Sequence, residues 1–109
     1  MGKFTVGQVV SITFPFSDLA SLKRRPALIV AIADFGDIIL CQITSKPYSS
    51  SMPIELLSTD FAEGSLPVNS YIRPDKLFTA ASSIVNTNYG IITSKKLSEV
   101  LIRIQSLFK

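Results

Sequence analysis

Apolar and polar residues alternate along Val9-Val10-Ser11-Ile12-Thr13-Phe14, with Val10, Ile12 and Phe14 on one face and Ser11 and Thr13 on the other, the period of a half-buried β-strand. Pro15 stands at its end, and residues 16–25 read as a polar connection containing Ser17-Asp18. Residues 27–33 form a continuous apolar run that ends in the turn Asp34-Phe35-Gly36-Asp37, and residues 38–44 are its natural hairpin partner.

The stretch 46–53, with two prolines and a serine cluster, predicts a loop, and Ile54-Glu55-Leu56 a short strand leading to Ser58-Thr59-Asp60-Phe61 and a brief helical turn. Residues 69–73 and 76–79 suggest two more short strands, broken at Pro74-Asp75 because proline cannot donate to a ladder. The period then changes. Leu97, Val100, Leu101, Ile104, Leu107 and Phe108 recur at spacings of three and four, so the chain ends in an amphipathic helix, with Ser94 as its expected cap. Short strands followed by a helix, without repeats or a linker, predict a mainly β fold, a small and strongly bent barrel-like sheet with a C-terminal helix.

A length of 109 residues predicts a single domain, 1–109, and 47% apolar against 17% charged residues excludes a disordered tail. The net charge of +3, with pI near 9.2, has the sign that suits a polyanion or an acidic protein partner. Cys41, the one cysteine, lies inside Ile38-Ile39-Leu40-Cys41 and is expected to be a buried, inert thiol that fits a reducing compartment. Histidine is absent, which removes the usual general base and the commonest zinc ligand, so neither a metal cage nor any other cofactor is expected. No leader opens the sequence and no apolar run approaches the roughly 18 to 20 residues of a membrane span, which predicts a cytoplasmic protein with no membrane contact.

Five segments, taken in order, point further: Gly7-Gln8-Val9-Val10; Phe14-Pro15-Phe16-Ser17-Asp18; Lys23-Arg24-Arg25-Pro26-Ala27-Leu28-Ile29-Val30; Gln42-Ile43-Thr44-Ser45-Lys46; and Ser70-Tyr71-Ile72-Arg73-Pro74-Asp75-Lys76-Leu77. Their order and spacing resemble the MazF/PemK family of toxin endoribonucleases across nearly the whole chain. The resemblance implies an SH3-like barrel of the MazF/PemK/CcdB type with helices, and a homodimer. It also implies metal-free, sequence-selective cleavage of single-stranded RNA, and inhibition by an acidic antitoxin.

Metal-free RNA cleavage turns the ribose 2′-OH against its own phosphate, and needs a proton acceptor, a cation or donors for the growing charge, and a proton source for the leaving oxygen. The family's catalytic arginine precedes this proline, which selects Arg25; its guanidinium binds phosphate oxygens bidentately and stays charged. Thr44 falls on the family's second catalytic position, where its hydroxyl would donate to a phosphoryl oxygen, although a lone threonine in a strand reflects β-propensity far more often. Asp75 is the candidate proton acceptor, a role that calls for burial or desolvation; the competing reading is a salt bridge to Arg73 or Lys76. Lys23, Arg24, Ser45, Lys46, Arg73 and Lys76 are expected to track the RNA backbone, and Phe16 or Tyr71 to stack on a splayed base.

Some members of the family place a histidine in the early loop, and this chain has none. Two other readings stand beside the ribonuclease. One is a non-catalytic SH3-like module, including a gyrase-directed inhibitor of the CcdB type, disfavoured by the absence of tryptophan. The other is a degenerate homologue that no longer cuts RNA.

Overall fold

The computed structural model describes residues 4–14, 23–46 and 53–108. Their strands are β1 (Gln8–Phe14), β2 (Lys23–Ile32), β3 (Asp37–Thr44), β4 (Ile54–Leu56), β5 (Phe61–Gly64), β6 (Ser70–Ala81) and β7 (Val85–Ile92), followed by helix α1 (Ser94–Gln105). All strands join one antiparallel sheet in the order β4-β6-β3-β2-β1-β7-β5, curled into a half-barrel.

Alternation along each strand loads both faces. Val9, Leu28, Cys41, Ile43, Ile72 and Ile92 form one buried cluster, which takes in Val100 of α1 and the half-buried Leu97 and Ile104. Val10, Ile12, Ala27, Ile29, Ile38 and Leu40 form a second on the opposite face, covered by Phe4, Phe78, Ala80 and Val85. The expected half-buried β1 is therefore buried on both faces, Ser11 included, because β2 and β7 flank it and the curl closes over it. The Ser11 hydroxyl has no hydrogen-bond partner among the described residues.

The cations expected in a connection lie within a strand. Arg24, Arg25 and Pro26 pair with Thr13, Ile12 and Ser11 of β1. Pro26 is tolerated because the pairing with β3 begins one residue later, at Ala27 opposite Gln42, so its missing N–H breaks no bond on that side. The two strands expected around Pro74-Asp75 are one. In β6, Ile72 lies opposite Ile43 and Leu77 opposite Cys41, so residues 73–76 bulge out against Gln42 with Pro74 buried.

The helical turn expected after Phe61 sits earlier, as a 3-10 turn at Ser58–Asp60, and β5 follows it. The cap of α1 is Thr93, not Ser94: its hydroxyl accepts from the Lys96 N–H at 3.2 Å. Lys96 then reaches back to β4, donating to the Glu55 carbonyl at 3.1 Å and lying 3.7 Å from Asp60. β5 and β7 are not foreseen from the hydrophobic pattern. They meet where Gly64 and Gly90, both at positive φ, bring their backbones together so closely that a Cβ on Gly90 would fall on the Glu63 carbonyl oxygen. No helix among the described residues is long and apolar enough to cross a membrane.

Candidate functional site

The polar residues of the central strands collect at one end of the sheet. In β3, Gln42 and Thr44 continue the face of Leu40; in β2, Arg25 continues the face of Ala27 and Ile29. The β2–β3 pairing ends at Ala27 opposite Gln42, so Arg25 and Thr44 lie just beyond it at the sheet end, and Thr44 pairs with Tyr71 of β6. Thr44 and Tyr71 thus form one rung, with Gln42 and Arg73 beside it and Arg25 on the neighbouring strand, where it lines the same cleft as Thr44. The apolar face of the second cluster grades into this polar strip as the strands run out.

Local hydrogen bonds orient the strip. The Thr44 hydroxyl oxygen accepts from the Lys46 N–H at 3.1 Å, which leaves its proton available to a ligand. Arg73 donates from Nη1 to Gln42 Oε1 at 3.5 Å, a long contact, while its Nε is buried with no partner among the described residues. Gln42 opens the motif Gln42-Ile43-Thr44-Ser45-Lys46, which by itself gives it no role. Its position two residues before Thr44 on one strand is the signal that places it on this face.

Next to the strip, a cleft of about 260 Å³ opens between the strand ends and the segment that enters β6. Arg24, Arg25, Thr44, Ser45 and Lys46 line one wall, with Pro26 and Ile43 between them. Leu66, Pro67, Val68, Ser70 and Tyr89 line the other. Alternation puts Arg24 and Ser45 on the face opposite Arg25 and Thr44, so the cleft wraps around the sheet end. Among the described residues, no carboxylate lines it. The Leu66–Val68 segment and Tyr89 carry no sequence signal for this cleft: the first lies between strands, and Tyr89 lies in a strand that the hydrophobic pattern does not announce.

The remaining candidates fall elsewhere. Asp75 and Lys76 project from the β6 bulge and are exposed, and neither they nor Arg73 line the cleft. The burial that a proton-accepting Asp75 calls for is therefore not found at its exposed position on the bulge. Asp75 still stands near the core: burial first, and its charge second, push the Cys41 thiol up to about 12. Phe16 lies outside the described residues, as does the side chain of Lys23. Among the described residues, no three metal-ligating side chains are gathered into a group.

A family model described as "PemK-like, MazF-like toxin of type II toxin-antitoxin system" matches residues 5–108. Solved structures share the fold. One is a MazE-MazF complex from Deinococcus radiodurans (TM-score 0.73, 22% identity, 94% of this chain and 92% of that chain). A second is a mycobacterial endoribonuclease in complex with its cognate antitoxin (TM-score 0.69, 15% identity, 98% and 93%). A third is MazF alone from Deinococcus radiodurans (TM-score 0.65, 23% identity, 94% and 93%). No curated protein matches the chain.

Proposed function

The chain belongs to the PemK-like, MazF-like toxin family of type II toxin-antitoxin systems, and on that premise we propose that it is an endoribonuclease that cuts single-stranded RNA without a metal ion. The observation that carries the reading is that Arg25 and Thr44, a fixed cation and a hydroxyl donor, line one cleft at the end of the sheet. Arg25 would hold the non-bridging oxygens of the scissile phosphate and stabilise the charge that grows on them; Thr44 would donate a hydrogen bond to the same group. The ribose 2′-oxygen attacks phosphorus, its proton passes to Asp75, and the departing 5′-oxygen takes a proton from water. Because Asp75 is exposed in the free chain, bound RNA would have to exclude water from it.

Arg24, Lys46, Arg73 and Lys76, with Ser45 and Lys23, would carry the flanking phosphates, and Tyr71, opposite Thr44, or Phe16 would take a base. The working form would be a homodimer of this single domain, 1–109, acting in the cytoplasm, and an acidic antitoxin would silence it by covering Arg25 and its cleft. The antitoxin complexes of the structural relatives support that part of the reading.

The test is product chemistry. Purified protein incubated with unstructured RNA in EDTA should leave 2′,3′-cyclic phosphate and 5′-hydroxyl ends. Products with 5′-phosphates, or a need for magnesium, would point to metal-activated water and refute the mechanism. Intact RNA under all conditions would favour a member that no longer cuts.

A further inference from the structure

The two walls of the cleft differ in chemistry, and the proposed phosphate chemistry uses only one of them. Arg24, Arg25 and Lys46 bring cations to the mouth. The facing wall is apolar and aromatic, and a phosphate has no use for it. It is also built in advance. The Ser65 N–H donates to the Tyr89 carbonyl at 3.2 Å, and the Ser70 hydroxyl, only 2% exposed as a residue, donates to the Val68 carbonyl at 3.0 Å, so both ends of the intervening segment are pinned. Tyr89 and Leu66 pack against the buried cluster behind them, while Val68, 59% exposed, forms the lip.

We infer that this cleft seats one unstacked nucleobase of the bound RNA, beside the scissile phosphate, and that Tyr89, Leu66 and Val68 set which base is accepted there. The inference rests on the ribonuclease reading above and extends it to substrate choice. An apolar slot with hydroxyls at its edge suits a planar ring with donors and acceptors on its rim, and a single strand offers such rings unpaired. The cationic side chains of Arg24, Arg25 and Lys46 at the mouth suit the phosphates on either side of that ring. Because the cleft wraps the sheet end, a strand held by its phosphate at Arg25 and Thr44 can turn over the edge and drop its neighbouring base behind Arg24.

Two readouts test this on the whole protein. In the first, a randomised single-stranded RNA pool is cut by wild type, Val68→Ala and Tyr89→Leu, and the base frequencies around each cut are sequenced; melting curves confirm that each variant is folded. Both variants should flatten or switch the preference at one position next to the cut by about tenfold, the scale of a lost stacking contact, and leave other positions as they were. In the second, oligoribonucleotides carry 2-aminopurine at successive positions and a 2′-deoxy sugar at the cut. One position should change in fluorescence on binding, and Val68→Glu should remove that change. Cleavage with unaltered preferences in both folded variants, and no position-specific signal, overturns the base slot. Variants that weaken only antitoxin inhibition overturn it equally, and would assign the cleft to the protein partner. A wild-type protein that gives the 2-aminopurine signal yet never cuts would refute the ribonuclease reading while supporting the slot.

Discussion

Replacing Thr44 by valine keeps the shape of the side chain and deletes its oxygen, which separates the two things that oxygen does. Its structural role is small. It accepts one exposed hydrogen bond, from the Lys46 N–H at 3.1 Å, and the net loss of such a bond is about 0.5–1 kcal/mol. For a domain of this size that amounts to a fall in Tm of roughly 2–8 °C. Its proposed chemical role is larger, because the hydroxyl proton is aimed at a phosphoryl oxygen whose charge grows in the transition state. Loss of one such donor lowers kcat by about 10²–10³, or about 2.7–4 kcal/mol. The decisive measurement is single-turnover cleavage of a fluorogenic RNA at saturating enzyme, well below the lower of the two melting temperatures, with Thr44→Ser alongside. Serine keeps the hydroxyl and loses a methyl, so it should recover to within about tenfold of wild type. A valine variant that cuts at near wild-type rate, or a stable serine variant as slow as valine, would show that the hydroxyl is not part of the chemistry and would return Thr44 to a β-former in a strand.

Arg25→Lys keeps the charge but loses the planar fork, so the single-turnover rate should drop by about tenfold or more while RNA affinity in a filter assay changes little; equal rates would argue against bidentate phosphate binding. Gly90→Ala places a Cβ at positive φ against the Glu63 carbonyl and should cost at least about 2 kcal/mol, seen as a fall in urea midpoint at unchanged m-value. An unshifted midpoint would mean that β5 and β7 do not cross so closely in solution. The Cys41 thiol, whose ordinary value of 9.0 is raised to about 12 in the fold, makes the folded state hold a proton that the unfolded state releases. That contribution is complete below pH 9 and is lost as pH rises from 9 towards 12. Native protein should therefore resist thiol reagents at mildly alkaline pH and react on unfolding, and Cys41→Ala should flatten the alkaline decline in stability. Rapid labelling of the native thiol would contradict its burial.

Much of the architecture was legible along the chain because it depends on neighbours a few residues apart. Alternation through residues 9–14, the apolar run at 27–33 with its hairpin partner, and the three-and-four spacing after Thr93 all correspond to elements that form. Arg25 and Thr44 stand out by motif, and Thr44 by its place at the end of an expected strand, whereas Arg25 is expected in a connection and lies in β2. What those local patterns leave open is the partner of each strand. β7 is too polar and too exposed to announce itself; it becomes a strand because β1 pairs with it and Asn86 donates to Thr13, 73 residues away in sequence. β5 forms at the glycine crossing with β7, again a contact that no short window contains.

The same reasoning divides the site. Sequence by itself determined which residues carry charge and hydroxyls, that Thr44 sits at a strand end, and that a histidine base is absent. Tertiary structure alone decided that β2 begins at its cations, with Lys23, and that Ser11 is buried. It also made residues 73–76 a bulge against Gln42, which leaves Asp75 exposed and Arg73 inside reach of that glutamine. It alone brought Tyr89 and Leu66 across from Arg24 and Lys46 to make a cleft. The physical reason is range. Side-chain alternation is a property of one backbone, fixed over a few residues by the geometry of the pleat, whereas a cleft is made of surfaces from strands that become neighbours only when the whole sheet has curled and buried its two apolar faces.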